Sequence, residues 1–320
     1  MAQCSSKRSV LTFALLQSSV AVLAVCLMLI IGRPVHATTP PAVYPTPEAA
    51  AKAILDALAK GDHASLITVL GDEYADQLFI DDAALEHQNY QRVLDAAKEA
   101  MQLRADDDNT RVMVLGKDAW PMPIPIVRDD KGWHFDTGAG VDEIVARRIG
   151  TDELAAIQAL RAYVTAQMQY ASEDRDGDDV LEYAQKFVSS PGKKDGLYWE
   201  TTSADDEPSP FGPFIAEQGD YLKEHKPGDS YKGYYYRILT RQGENPPGGR
   251  YDYIINGNMI AGFAAIAVPA DYGDTGVMTF VVSHQGKIYQ KDLGKDTALA
   301  AAAIQEYNPD DTWTLVKESE

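Results

Sequence analysis

The sequence predicts an α+β protein with two domains behind an export leader. Helical periodicity comes first, strand patterns follow it, and a long helix then precedes a second run of strand patterns. Helices and strands separated in this way pack as α+β layers rather than as alternating α/β units. At 320 residues the chain can build a core in each domain. The predicted divisions are a leader at 1–37, a linker at 38–43, a first domain at 44–138 and a second at 139–320.

The leader has the pattern of a secretory signal peptide. Lys7 and Arg8 form its charged start, Val20–Ile31 is an unbroken apolar run, and a small-residue cleavage pattern ends at Ala37. We therefore predict cleavage after Ala37 and a periplasmic or secreted product without stable membrane insertion. The alternative is a retained anchor, because the longer stretch Val10–Ile31 is long enough to span a bilayer if its polar interruption at Gln17–Ser19 is tolerated.

Charge and cysteine content limit the kinds of ligand and partner that the mature chain is expected to bind. Cys4 and Cys26 both lie in the leader, so the mature chain has no disulfide and no thiolate ligand. The leader also holds three basic residues and no acidic ones, so the mature chain is more negative than the −19 of the whole sequence. Such a surface repels nucleic acid and anionic lipid. Solubility alone also accounts for a strongly acidic balance.

Helix signals open the first domain. Thr46 is an N-cap followed by proline, and the helix after it ends at Gly61. Asp62 caps a second helix that ends at Gly71. Apolar residues at helical spacing predict a third helix over Asp82–Leu103.

Strand signals complete the first domain. Arg111–Leu115 has the composition of a strand, Trp120–Val127 reads as an edge strand interrupted by prolines, and Gly132–Asp136 is its hairpin partner. Helices followed by a curved antiparallel sheet, with "AKGD" and "DDKGWHFD" as motifs, resemble the cone-shaped nuclear-transport-factor-two-like fold. The resemblance implies no particular activity.

A cone of that fold would enclose a pocket. The residue types that could line it here are Tyr74, Trp120, Trp133 and His134. The alternative is that these aromatic side chains pack the sheet against the helices, which is their commoner use.

The second domain opens with a long amphipathic helix. Its apolar stripe runs from Ile144 to Met168. Gly138–Gly140 predicts a hinge before the helix, and Gly150-Thr151 predicts a break inside it where a new cap forms.

An acidic turn follows this helix. Its carboxylates alternate around Gly177, as in tight turns that bind a cation, and they predict a calcium site. Asp179 and Gln185 stand where an EF-hand loop has its glycine and its bidentate glutamate, so the match is partial. A solvated turn is the alternative. The candidate calcium ligands are Asp174, Asp176, Asp178 and Glu182.

A polar and aromatic loop comes next, and it allows two interpretations. It is either a ligand-facing loop or a segment that Leu197, Tyr198 and Trp199 anchor to the core, as aromatic residues more often do. The candidate ligand-facing residues are Lys194, Asp195, Tyr198 and Trp199.

Strand patterns fill the remainder of the chain. His284 is predicted to be a turn residue beside the hairpin glycine Gly286, and a helix is predicted over Thr297–Tyr307. The predicted strands are Tyr234–Thr240, Tyr251–Ile255, Phe263–Val268, Gly276–Val282 and Lys287–Gln290.

Two long runs carry a family resemblance. YASEDRDGDDVLEYAQKFVSSPGKKDGLYW and YDYIINGNMIAGFAAIAVPADYGDTGVMTFVVSHQGKIYQKDLG resemble a bacterial family of exported proteins catalogued as domain of unknown function 2950. The resemblance covers nearly all of the mature chain and implies an exported protein without a settled activity. It also implies a glycine where this chain has Asp179, which puts the geometry of an ion site in question.

A second resemblance concerns the carboxy-terminal half. The helix end TAQMQYAS and the later run AAIAVPADYGDTGVMTFVVSHQGKIYQ are similar to the globular heads of type II secretion pseudopilins and type IV pilins. That resemblance implies a long helix packed on an antiparallel sheet. The apolar spine with which pilins polymerise is replaced here by a whole preceding domain, so assembly into a pilus is not expected.

No strong catalytic motif occurs in the chain. The sequence contains no HExxH, GxSxG, Walker loop or dinucleotide fingerprint. Two functional hypotheses remain. The first is a non-catalytic envelope protein that interacts or assembles with an unidentified envelope partner. The second is a small-molecule binding or hydrolytic protein that uses the amino-terminal cone or the Lys194–Trp199 loop.

Overall fold

The computed structural model describes residues 38–317 except 81, 176, 202, 204, 205 and 218–228. The predicted α+β class is confirmed. The predicted leader lies outside the described residues. In the described part of the chain the helices are α1 (Pro47–Lys60), α2 (His63–Leu70), α3 (Ala75–Leu78), α4 (Ala83–Glu99), α5 (Thr137–Tyr170), α6 (Gly212–Glu217) and α7 (Thr297–Ala303).

Antiparallel sheets accompany these helices. A five-stranded first sheet has the order β1-β2-β4-β5 with β3 beside β2, and a five-stranded second sheet has the order β14-β13-β12-β11-β6. The strands of the first sheet are β1 (Met101–Ala105), β2 (Thr110–Leu115), β3 (Trp120–Pro121), β4 (Ile126–Asp129) and β5 (Gly132–Phe135). Those after it are β6 (Tyr234–Leu239), β7 (Arg241–Gln242), β8 (Tyr251–Asp252), β9 (Ile254–Ile255), β10 (Asn258–Met259), β11 (Ala264–Pro269), β12 (Met278–Ser283), β13 (Ile288–Asp292) and β14 (Thr314–Leu315).

Local caps set the first helices as predicted. The Thr46 side chain accepts a hydrogen bond from the amide of Ala49, and α1 ends at Gly61 in the left-handed region at φ 70°. Asp62 then accepts from the amide of Ser65 to begin α2. These bonds satisfy amides that a helix start leaves unpaired.

The third predicted helix is too long. α4 ends at Glu99, Ala100 is extended, and Met101–Ala105 forms β1. Met101 pairs with Leu115 and Ala105 with Arg111 across β2. The apolar spacing of this segment is compatible with a helix and with a strand, and it forms a strand because it pairs with β2.

α5 is one continuous helix, so the predicted hinge and the predicted break are both wrong. The Asp136 side chain caps it by accepting from the amide of Ala139, and the helix continues for 34 residues. At Gly140 a Cβ atom would lie 2.6 Å from Ile124, whereas at Gly150 it would meet nothing within 4 Å. Gly140 therefore allows a close approach of α5 to the segment between β3 and β4, and Gly150 is an exposed helical glycine.

The second sheet has a helix on each face. On one face the hydroxyl of Tyr163 in α5 donates to the carbonyl of Ala264 at 3.1 Å. On the other face Arg237 of β6 donates to carbonyls at the end of α7. A long helix packed on an antiparallel sheet is the arrangement predicted for this half.

Two hydrophobic cores lie on either side of the α5 start. One core contains buried residues between Ala50 and Phe135, and the other contains residues between Ala156 and Tyr307. The predicted boundary at 138/139 falls inside α5 and stays a prediction. The described helices include none with the length and apolarity needed to cross a bilayer.

Candidate functional site

The acidic turn closes on itself through carboxylate–amide hydrogen bonds. Asp174 accepts from the amide of Gly177 at 2.8 Å with one oxygen and from the amide of Asp179 at 2.9 Å with the other. Gly177 has φ 80° and Asp179 has φ 66°, both in the left-handed region. A glycine takes this conformation without strain and an aspartate tolerates it.

The rest of the turn is tied to the hairpin of β9 and β10. Asp178 accepts from the amide of Val180 at 2.8 Å and from the side-chain nitrogen of Asn258 at 2.6 Å. Glu182 accepts from the amide of Met259 at 2.9 Å. These two carboxylates therefore connect the turn to a segment about 80 residues later in the chain.

The calcium prediction stays a prediction. Asp176, one of its four candidate ligands, lies outside the described residues. Among the residues that are described, no group of three or more histidine, cysteine, aspartate or glutamate side chains is arranged to hold a metal ion. The three other candidates form the hydrogen bonds given above.

A buried arginine anchors the same turn. The side chain of Arg175 is only 4% exposed. Its guanidinium lies 5.4 Å from the ring centres of both Tyr170 and Trp199, and its Nε donates to the carbonyl of Tyr170 at 3.1 Å. It also forms an ion pair with Glu207. A buried guanidinium is stable only when it is paired and hydrogen-bonded, and this one is both.

Glu207 also connects Arg175 to the predicted ligand loop. Lys194 forms a second ion pair with the Glu207 carboxylate, and the Trp199 ring nitrogen donates to the Glu207 backbone carbonyl at 3.0 Å. Hydrogen bonds from Lys194 and then Arg175 hold the pKa of Glu207 below its ordinary value. Glu207 lies in an aperiodic loop, and no signal in the sequence links it to the acidic turn.

The other loop candidates also contact their own segment. Asp195 pairs with Lys186 at 2.7 Å and accepts from the amide of Ser190 at 2.7 Å. The Lys186 hydrogen bond is the main reason why the pKa of Asp195 is lowered to about 2. The Tyr198 backbone pairs with the segment at Phe187, and Leu197 is fully buried. This loop therefore uses Lys194, Asp195 and Trp199 as internal anchors.

The acidic turn and the Lys194–Trp199 loop both lie within the part of the chain that a protein-family model matches. A model for proteins of unknown function (DUF2950) matches residues 41–316. The chain belongs to the DUF2950 family. No curated protein and no solved structure matches it. The pseudopilin resemblance of the second half therefore has no support from these comparisons.

The cone candidates of this DUF2950 protein do not share one environment. Trp133 is a buried core residue, whereas Trp120 on β3 is 41% exposed. The Trp133 ring faces the guanidinium groups of Arg111 and Arg128. His134 follows Trp133 on β5 and therefore points to the opposite face of the sheet. Trp133 thus has the packing role given above as the alternative.

The fourth cone candidate packs near the start of α5. A Cβ atom built on Gly138 would lie 2.9 Å from the hydroxyl of Tyr74. Tyr74 therefore lies against the helix that joins the two cores.

Two histidines of this DUF2950 protein have contrasting settings. His284 lies in the turn after β12, as predicted, and burial lowers its pKa. No pattern in the sequence singles out His63, whose ring stacks on Phe79 at 4.0 Å and lies 2.8 Å from the Glu86 carboxylate. Burial acts to raise the pKa of Glu86, but the His63 hydrogen bond and the Ile80 amide lower it overall. This pair fastens α2 to α4.

Proposed function

We propose that this DUF2950 protein is an exported, non-catalytic cell-envelope protein that binds a partner protein through its second sheet. The family match leaves its activity open, and the leader pattern supports export. The acidic turn and the Lys194–Trp199 loop support a non-catalytic role, because their charged groups serve to join segments of the chain.

The observation that carries the proposal is the outer edge of the second sheet, which β6 forms. β6 pairs with β11 on one side. On its other side the Tyr234 backbone is hydrogen-bonded to Tyr231, and no described strand pairs with the residues that follow Tyr234 in β6. Such an edge presents a row of backbone donors and acceptors to a strand from another protein. β6 contains neither proline nor lysine, the residues that commonly block edge pairing. Tyr235 adds an aromatic side chain that is 50% exposed, of the kind enriched at interfaces.

In-cell crosslinking tests this proposal. A photo-crosslinking amino acid replaces Tyr235 in the full chain expressed in its native cell, and a control places it at Lys60, an exposed residue on α1. We expect one discrete envelope protein to crosslink at position 235 and not at position 60. Crosslinks at neither position, or the same products at both, contradict the proposal.

We also propose that Ca²⁺ stabilises the acidic turn, on the strength of its alternating carboxylates. Its role in that case is structural, since the turn fastens the end of α5 to the β9–β10 hairpin.

A further inference from the structure

A groove lies between β6 and α7, on the sheet face opposite α5. Its volume is about 340 Å³. That is within the range of small-ligand pockets, which begin at about 300 Å³. The described residues that line the groove are apolar apart from the Arg237 guanidinium and the two tyrosines Tyr235 and Tyr236, and the exposed Tyr235 ring lies at the rim. The residues that define it are Tyr235, Arg237, Val268, Pro269, Ala298 and Ala302.

Arg237 is the charged group of this groove, and α7 holds it in place. Its Nη2 donates to the carbonyl of Ala301 at 3.0 Å and to that of Ile304 at 2.7 Å. The Ala301 carbonyl also accepts from the amide of Ile304, and carbonyl groups at a helix end commonly accept further bonds from basic side chains. The two bonds use one nitrogen and fix the guanidinium plane. They leave Nε and Nη1 without an acceptor among the described residues.

No described carboxylate compensates this charge. The half-buried Arg237 forms no ion pair within the described part of the chain, whereas the buried Arg175 pairs with Glu207. The contrast is informative because acidic side chains outnumber basic ones by 48 to 29. Burial lowers the pKa of Arg237. Removing a cation from water without a counter-charge is costly. An anion bound in the groove would offset that cost.

We propose that this groove binds a small organic acid whose carboxylate meets Arg237 and whose apolar body lies on the alanine face of α7. A charge-assisted hydrogen bond to a carboxylate is about twice as strong as a neutral one, which favours an anion over a neutral polar group. Ala298 and Ala302 lie four residues apart, so they share one face of α7. Their small side chains leave room for an aliphatic or aromatic body, and the Tyr235 ring at the rim offers it a surface. This site goes beyond the proposed partner binding, and its ligand is a small molecule.

Three acids and their neutral amides test the charge requirement. The full chain is titrated by ligand-observed NMR with acetate, butyrate and 3-phenylpropionate, and with the matching amides at the same ionic strength. We expect 3-phenylpropionate to bind most tightly and at least tenfold more tightly than its amide. Equal binding of acid and amide across all three pairs overturns the proposal, as does the absence of any binding.

Variants locate the site. In Arg237→Gln the preference for acid over amide disappears, and in Arg237→Lys it is reduced but kept, because the positive charge remains. Ala302→Phe fills the groove and weakens 3-phenylpropionate at least fivefold. Ala303→Phe adds the same side chain at the next exposed position of α7, outside the groove, and leaves binding unchanged. Circular dichroism establishes that each variant is folded, and if Arg237→Gln unfolds, the two alanine variants decide the matter.

A further comparison distinguishes a small organic acid from the carboxy terminus of a peptide as the source of the carboxylate. A short peptide ending in a free carboxylate is compared with its amidated form. Binding of the peptide acid without binding of 3-phenylpropionate overturns the assignment of a small-molecule ligand. Because these titrations contain no partner protein, their failure leaves the crosslinking result at Tyr235 unaffected, and the reverse also holds.

Discussion

Replacing Arg175 by alanine removes the contact that joins the acidic turn to the Lys194–Trp199 loop. The change deletes an ion pair to Glu207, a hydrogen bond to the Tyr170 carbonyl and two cation–aromatic contacts. Breaking a buried ion pair costs about 3–5 kcal/mol when the remaining charge stays buried and unpaired. Here Glu207 is 36% exposed and keeps Lys194 as a partner. We therefore expect the unfolding free energy to fall by an amount at or just below the lower end of that range, about 2–3 kcal/mol.

Urea unfolding followed by tryptophan fluorescence measures this loss, since Trp199 lies at the altered contact. Arg148→Ala is the matched control, because Arg148 forms an ion pair with Asp274 in which both side chains are about half exposed. Exposed pairs contribute about 0–1 kcal/mol. A loss in Arg175→Ala no larger than that in Arg148→Ala would refute the reasoning that burial of Arg175 is what makes this contact strong.

Three further predictions concern α5, the loop and the acidic turn. Gly140→Ala is expected to destabilise the protein by about 1–3 kcal/mol through overpacking, whereas Gly150→Ala is expected to stabilise it by up to about 1 kcal/mol through helix propensity. Thermal melts of the two variants measure the difference, and effects of the same sign and size would contradict the continuous helix. Asp195 has a pKa lowered from 3.8 to about 2, so the stability it contributes is fully present above its unfolded pKa and is lost as the pH falls towards 2. In Asp195→Asn the unfolding free energy should therefore fall less steeply at acidic pH than in the wild type. The same pH dependence in both proteins would count against the ion pair. Saturating Ca²⁺ should raise the melting temperature over that in chelator, and Asp174→Asn with Asp178→Asn should abolish the rise; no response in the wild type rejects calcium.

The helix ends, strands and turns that the sequence predicted correctly depend on interactions between residues close together in the chain. The bounds of α1 and α2 follow from caps at Thr46 and Asp62 and from terminal glycines, all within one turn of the helix. The pairing strands of the second sheet follow from β-rich runs between turn residues. His284 was found in its turn for the same reason, because Gly286 closes that turn locally.

Predictions failed where a distant segment decided the outcome. Gly138–Gly140 has the composition of a hinge, yet the close contact of Gly140 with Ile124 places it inside α5. The apolar residues of Met101–Ala105 have helical spacing, yet this segment forms a strand because it pairs with β2. Each choice depends on a surface that other parts of the chain supply.

The sequence by itself determined the α+β class, the family, most caps and turns, and the concentration of carboxylates after α5. Only the tertiary structure decided how those groups are used. It placed Glu207 against Arg175, 32 residues away in the chain, and left Arg237 in a groove to which no described residue contributes a carboxylate. The physical reason is that capping and turn formation act over three or four residues, whereas compensation of a buried charge depends on which side chains the completed fold brings within reach.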